Sequence, residues 1–283
     1  MSAPEERSVD LRRLGVIWVV LSVIGVLAVI FLLGPHMPPG SDTAQAHEQR
    51  EANIIITAVL TPIAIGLLLY FGFALTTFRQ RGDFEDGPAI YGDNRLQSYW
   101  IGGCVTVVLA LAAYGTYALY ATESNAAGAG GGQGPTLISA APANALEVQV
   151  VSQQWQFTFR YPQYGGVETT QLALPVGRTV VFHVTSLDVI HSFWAYQLGV
   201  KVDAVPGTDN VTDVTPKTVG SFTIRCAELC GVWHGEMHST GQVLPDAAFA
   251  TWIAKQRVSN APATGHLPPY HSVYYPDPTE RAG

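Results

Sequence analysis

Charged residues and cysteines are scarce in this chain of 283 residues. Charged residues make up only 13% of it and the net charge is −7, so the chain lacks the basic surface that binding to nucleic acid requires. Three cysteines cannot supply the disulfide framework of a small secreted domain, and there is no Cys-x-x-Cys-His sequence to attach a haem. Apolar residues, by contrast, make up 48% of the chain and include long uninterrupted runs.

Three of these apolar runs are long enough to cross a bilayer, which takes about 20 residues as a helix. They predict a membrane region over residues 1–122, with transmembrane helices at about residues 14–33, 54–77 and 98–121. Pro62 lies in the second run, where we expect it in the early turns of the helix. A proline there is tolerated because neighbouring helices re-satisfy the carbonyl that it frees.

The first run has two interpretations. The small residues Ala44 and Ala46 are typical of a signal-peptide cleavage site, and cleavage there would leave two helices. The run is longer than the roughly 7–15 residues of a signal core, and the candidate site lies well beyond its end, which favours a retained helix.

Arginine placement predicts the orientation in the membrane. Three arginines precede the first helix and three lie between the second and third, whereas the first loop holds only Arg50. Because positively charged residues stay on the cytoplasmic side, we expect a multi-pass protein of the plasma membrane with a cytoplasmic N-terminus. Everything after about Thr122 then lies outside, whether or not the first helix is cleaved.

The rest of the chain divides into a linker, a β domain and a tail. Residues 123–145 are rich in Gly, Ala and Pro and predict a flexible linker. Residues 146–258 hold short runs rich in Val, Phe, Thr and Tyr between turn sequences, which predicts an all-β Greek-key sandwich or barrel. A short helix is expected from Asp246, with that residue as its N-cap, and residues 259–283 form a proline-rich tail.

Residues 226–237, with the sequence CAELCGVWHGEM, concentrate soft metal ligands. Thiolate and thioether favour copper, and imidazole suits it too, whereas structural zinc sites use Cys and His without Met. A mononuclear blue-copper site uses only one cysteine, so the second one indicates two metal ions that share bridging sulfurs. The best candidate for a second imidazole is His191, because a residue at a strand end in a sandwich can lie beside a distant loop.

These residues resemble those of cytochrome c oxidase subunit II. The resemblance rests on the Cys-x-Glu-x-Cys-x₃-His-x₂-Met pattern, on Asp-Val-x-His-Ser before it, and on Gln154–Pro162 and Lys201–Gly207. It covers most of the β domain and implies a cupredoxin-like Greek-key fold, anchored by transmembrane helices, that holds the binuclear copper centre called CuA.

The resemblance also implies roles for individual residues. Glu228 is expected to hold a magnesium ion through its carboxylate at the interface with subunit I, Trp155 to admit electrons from cytochrome c, and Asp188 to lie near the donor-docking surface. The implied copper ligands are the bridging thiolates of Cys226 and Cys230, the imidazoles of His191 and His234, the thioether of Met237 and the backbone carbonyl of Glu228.

The implied function is electron transfer in a respiratory haem–copper oxidase. Cytochrome c, or a membrane-bound c-type cytochrome, would reduce the copper centre, and the haem centres of subunit I would receive the electrons and reduce O2 to water, with proton translocation. Expected partners are subunits I and III, the donor and the lipid bilayer. The chain after Thr122 holds 12 acidic and 8 basic residues, a balance that would steer a basic donor but is also common in secreted domains.

The chain departs from the family pattern at three points. Phe157 stands where relatives have a second tryptophan, so the aromatic relay is in doubt beyond Trp155. Gln97 stands where relatives often have the glutamate of a proton path, and it cannot ionise. Three apolar runs replace the usual two helices.

Two alternative functions stay open at this point. A quinol oxidase subunit II would share the fold but would have lost the copper ligands, all of which are present here. A copper-delivery protein would bind the metal transiently, typically on mobile ligands without a β scaffold.

Overall fold

The computed structural model describes residues 11–77, 92–121 and 143–265, which form two compact units. Helical segments make up the first unit, whereas the second unit contains the β domain together with Pro38–Arg50. The predicted linker, apart from residues 143–145, and the predicted tail beyond residue 265 lie outside the described residues.

Three segments of the described chain are long and apolar enough to span a membrane: Arg12–His36, Ala44–Thr77 and Asn94–Tyr117. They correspond to the helices α1 (Leu11–Ala28), α2 (Ala44–Thr77) and α3 (Asn94–Ala121), and α1 continues through a π-helical turn at Val29–Leu33. The expectation of three apolar helices is therefore confirmed.

The prediction for α2 was wrong at its start. The helix begins ten residues before the predicted residue 54. Thr43 caps it, and a polar segment without apolar periodicity forms its first turns before the apolar run begins. Pro62 consequently lies in the middle of α2 and not in its early turns. The carbonyl of Pro62 accepts a hydrogen bond from Trp18 Nε1 at 2.8 Å, which joins α2 to α1.

The described β domain contains ten strands: β1 (Leu146–Gln153), β2 (Gln156–Tyr161), β3 (Val167–Thr169), β4 (Ala173–Pro175), β5 (Val180–Ser186), β6 (His191–Ala195), β7 (Val200–Ala204), β8 (Asn210–Val214), β9 (Gly220–Cys226) and β10 (His238–Leu244). One sheet has the order β3-β2-β1-β5-β8 and the other β4-β10-β9-β6-β7. Each sheet mixes antiparallel pairs with one parallel pair, β1 with β5 and β10 with β4.

Apolar side chains on the facing sides of the two sheets form one core. At its centre the ring of Phe193 lies 5.3 Å from that of Phe182 and 5.8 Å from that of Phe157, in tilted and edge-on contacts that stabilise an aromatic cluster. This is the predicted all-β sandwich, and the membrane-anchored, cupredoxin-like fold class is confirmed.

Pro38–Arg50 packs on the β domain through buried polar contacts. The Thr43 hydroxyl accepts the Ala46 N–H at 3.0 Å, which caps α2, and donates to the Leu198 carbonyl at 2.8 Å. Gln49 Nε2 donates to the Gly199 carbonyl at 2.7 Å. Ala46 is fully buried, and Gly199 has φ +68°, where a side chain would meet the Ala46 backbone. The first two turns of α2 are thus an integral part of this unit.

The last helix, α4 (Asp246–Ser259), covers the edge of the core. Phe249 and Ile253 are buried, and Trp252 packs edge-on against Tyr161 with ring centroids 5.6 Å apart. Asp246 is the first residue inside the helix and not its N-cap, because Pro245 occupies the cap position and no side chain caps the helix.

Candidate metal centre

The loop between β9 and β10 places the ligand motif at one end of the sandwich. β9 ends at Cys226, a 3₁₀ turn covers His234–Glu236, and β10 begins directly after Met237. The Cys226 N–H donates to the Met237 carbonyl at 2.9 Å, which closes the loop at its base. β6 lies beside β9 with Phe193 opposite Cys226, so His191 at the start of β6 reaches the same end.

Five predicted ligand side chains converge at this end of the sandwich. The sulfurs of Cys226 and Cys230 lie 3.7 Å apart, and no disulfide joins them. Cys226 Sγ lies 3.8 Å from His191 Nδ1, and Cys230 Sγ lies 3.4 Å from His234 Nδ1. Each sulfur therefore has an imidazole nitrogen beside it, in a nearly symmetrical arrangement.

Two weaker donors complete the group. Met237 Sδ lies 3.8 Å from Cys230 Sγ, and the Glu228 carbonyl oxygen lies 3.2 Å from Cys226 Sγ. The Glu228 side chain is exposed on the loop, so the backbone and the carboxylate of this residue face different surroundings. His191 is inaccessible to solvent, and Met237 is only 2% exposed, so bulk water is excluded from most of the donor set.

Asp188 holds the ring of His191. Asp188 Oδ1 lies 2.9 Å from His191 Nε2, and the carboxylate also accepts the backbone N–H groups of Gln154 and Val189. Burial opposes ionisation of both groups, but the hydrogen bonds outweigh it: they lower the pKa of Asp188 and raise the pKa of His191 to about 9. An Nε2–H directed at the carboxylate leaves Nδ1 free to bind a metal.

The two thiols differ in acidity. Burial alone would raise the pKa of Cys226, but hydrogen bonds from His191 and the Ser192 backbone lower it. Burial raises the pKa of Cys230, and the neighbouring Cys226 raises it further. One negative charge is therefore easily accommodated here, whereas a second thiolate needs a cation beside it.

Trp155 lies against the same loop. Its Nε1 donates to the Cys230 carbonyl at 3.2 Å, and the half-buried ring packs beside Gly231. Gln154 Nε2 donates to the same carbonyl at 2.9 Å. Both residues belong to the Gln154–Pro162 stretch that carries the resemblance, but the sequence analysis predicted a role only for Trp155.

Phe157 belongs to the core of the β domain, and Gln97 belongs to the helical unit. Phe157 is 4% exposed and packs in the core against Phe193, whereas Gln97 is exposed in the first turn of α3. Outside the motif, His183 Nδ1 pairs with Asp209 Oδ2 at 2.9 Å.

The donor set fits soft metal ions such as copper. A metal–thiolate bond is about 2.3 Å long, so one ion contacts both sulfurs only if they are closer than roughly 4.6 Å. The observed 3.7 Å meets this limit, and His191, Cys226 and Cys230 place their donor atoms within 4.8 Å of one another. The buried thioether of Met237 adds a soft donor that structural zinc sites do not use.

Comparisons with known proteins identify similar chains. A family model described as the periplasmic domain of cytochrome c oxidase subunit II matches residues 167–242, and a model described as a family of unknown function matches residues 11–80. Cytochrome c oxidase subunit 2 of Thermostichus vulcanus is 28% identical over 298 aligned positions, which cover 90% of this chain and 90% of that protein.

Two further relatives have higher identity over a shorter part of the chain. The probable cytochrome c oxidase subunit 2 of Streptomyces coelicolor is 41% identical over 107 residues, or 38% of this chain and 33% of that protein. A crystal structure of the periplasmic domain of subunit II of cytochrome oxidase from Bradyrhizobium japonicum is 30% identical, covering 42% of this chain and 98% of that one with a TM-score of 0.40.

Proposed function

The chain belongs to the cytochrome c oxidase subunit II family, and from this premise we propose that it carries a binuclear CuA centre that receives electrons from cytochrome c. The observation that carries the proposal is the pair of buried sulfurs 3.7 Å apart, each with an imidazole nitrogen within 3.8 Å. A mononuclear blue-copper site uses one cysteine, so one of these thiols would bind no metal.

The chain's own residues would hold and shield the copper pair. Bound copper would supply one-electron transfer at this site. Asp188 orients His191, and the closed base of the loop holds Cys226 and Met237 together. The copper ions would be held by the thiolates of Cys226 and Cys230 and the imidazoles of His191 and His234, with Met237 Sδ and the Glu228 carbonyl as weaker donors.

Electron entry would use Trp155. Its ring is partly exposed, while its Nε1–H contacts the carbonyl of a ligand cysteine, so one side chain joins the surface to the metal loop. Asp188 is 24% exposed and engaged with His191, so it would contribute to donor docking only through its outer edge. The donor would be cytochrome c or a membrane-bound c-type cytochrome.

The partner subunits would carry the rest of the reaction. We propose that subunit I accepts the electrons at its haem centres and reduces O2 to water with proton translocation, and that subunit III completes the assembly. The exposed Glu228 carboxylate is available for a magnesium ion at the interface with subunit I. Gln97 cannot carry a proton, so proton uptake would not use this position.

The membrane arrangement follows from the arginine distribution. We propose that the N-terminus is cytoplasmic and that the copper domain faces the periplasm-like side. We also propose that α1 is retained, because Trp18 donates to the Pro62 carbonyl and Gly25 lets Thr61 approach the α1 backbone. An intact mass of the isolated protein that lacked α1 would contradict this.

The three cysteines of the chain allow a matched test of the copper centre. Cys230→Ser should abolish binuclear copper and oxidation of cytochrome c by the assembled oxidase, because a hydroxyl does not replace a bridging thiolate. Cys104→Ser, the same change in α3, should leave copper content and turnover at the wild-type level.

Two results would favour the alternative functions, a quinol oxidase subunit II or a copper-delivery protein. Full cytochrome c oxidation by Cys230→Ser oxidase would point to a quinol-type subunit that does not use the centre. Rapid release of copper from the wild-type protein to a mild chelator would point to copper delivery.

A further inference from the structure

Gln154 lies where three segments of the β domain meet. It sits in the turn between β1 and β2. The pairing of Gln153 with Gln156 closes this turn, so the turn does not depend on the side chain of Gln154. The other two segments are the β5–β6 loop, which holds Asp188, and the loop after β9, which holds Cys230. The β5–β6 loop leads directly into the proposed ligand His191, and the loop after β9 bears the proposed ligand Cys230.

The side chain of Gln154 binds the cysteine loop. Its Nε2 donates to the Cys230 carbonyl at 2.9 Å, and Trp155 Nε1 donates to the same oxygen at 3.2 Å, so both acceptor positions of this carbonyl are used. Gly231 has φ +118°, and a Cβ there would lie 3.0 Å from Gln154 Nε2. The loop backbone therefore packs directly against the amide.

The backbone of Gln154 binds the histidine segment. Its N–H donates to Asp188 Oδ2 at 2.7 Å, and the other oxygen of that carboxylate lies 2.9 Å from His191 Nε2. The side chain of Gln154 therefore bonds to Cys230, and its main chain is linked to His191 through Asp188.

We propose that Gln154 is a positioning residue for the metal centre, which sets the placement of Cys230 relative to His191. The inference rests on the proposed binuclear copper centre and adds to it a residue that binds no metal itself. Gln154 is exposed as a residue, so loss of its side chain should affect folding little. Its effect should instead appear in the geometry of the ligands.

A matched pair of variants in the intact oxidase tests this role. Gln154→Met keeps the side-chain length and removes the N–H donor. Gln156→Met makes the same change at an exposed residue two positions away, whose side chain makes no hydrogen bond to any described residue. The readouts are the EPR and near-infrared signature of bound copper, the rate of copper loss to a chelator, and the unfolding temperature.

The Gln154→Met oxidase should lose copper to the chelator about tenfold faster than the Gln156→Met oxidase. Its EPR spectrum should show an altered sharing of the unpaired electron between the two coppers. The unfolding temperatures of the two variants should be alike. Identical copper spectra in the two variants would overturn the proposal, as would a lowered unfolding temperature with an unchanged spectrum. If Gln154→Met does not accumulate, Gln154→Glu replaces the donor by an acceptor and should give the same altered spectrum. Failure of both variants to accumulate would make Gln154 a folding residue and would also overturn the proposal. A wild-type protein without a binuclear signature would refute the proposed function instead.

Discussion

Replacing Thr43 by valine should detach the first turns of α2 from the β domain. Valine has nearly the shape of threonine but no hydroxyl, so the change removes two hydrogen bonds and little volume. Thr43 is 1% exposed, and water therefore cannot readily replace the lost partner.

The magnitude follows from the two bonds. Loss of the cap on the Ala46 N–H should cost about 1 kcal/mol. Loss of the donor to the buried Leu198 carbonyl should cost a further 1 to 2 kcal/mol or so. A total of about 2 to 3 kcal/mol raises the population of the opened segment roughly 30- to 150-fold, since each 1.4 kcal/mol is a factor of ten.

Tryptic cleavage after Arg50 measures this opening. Arg50 is half-buried within α2, so cleavage requires local unwinding, and its rate follows the population of the opened form when reclosing is fast. The matched control is Thr170→Val, at an exposed threonine whose side chain makes no hydrogen bond to any described residue. Equal cleavage rates after Arg50 in Thr43→Val and Thr170→Val would refute the docking of α2 on this unit.

Three other changes test separate parts of the structure. Met237→Leu conserves volume, so stability should fall by less than about 1.5 kcal/mol while the copper spectrum and potential change; an unchanged spectrum would exclude Met237 as a ligand. The hydrogen bond from His183 to Asp209 raises the pKa of His183, so this pair stabilises the fold fully below pH of about 6.5 and its contribution is lost as the pH rises through the folded-state pKa. Thermal unfolding of His183→Gln should lack this fall with rising pH, and identical pH profiles for the two proteins would contradict the assignment. Gln97→Glu should leave oxidase turnover nearly unchanged, and a several-fold rise would show that a proton path runs through that position.

The convergence of the cysteine, histidine and methionine side chains was predictable because most of them are close in sequence and chemically unusual. Two cysteines, a histidine and a methionine within twelve residues restrict the metal before any fold is known. His191 lies 35 positions before Cys226. It was a candidate because it follows a predicted strand, and a residue at a strand end in a sandwich can lie beside a distant loop, but the strand that begins at His191 was not predicted. Spacing and strand pattern predict where these side chains lie because the site is at the ends of regular strands.

The supporting contacts were not predictable in the same way. Gln154 is an ordinary amide, and its two bonds depend on how a turn and two loops meet in three dimensions. The early start of α2 was missed because hydropathy marks only the apolar run, whereas Thr43 and Gln49 extend the helix by polar contacts with the β domain. Contacts of this kind leave no periodic signal in the chain.

The copper content and EPR spectrum of the intact wild-type protein test the central claim most directly. We expect two copper ions per polypeptide and a hyperfine pattern from one unpaired electron shared by both nuclei, because two thiolates 3.7 Å apart can bridge a pair of ions. A single copper with a blue mononuclear spectrum, or zinc in its place, would contradict the account.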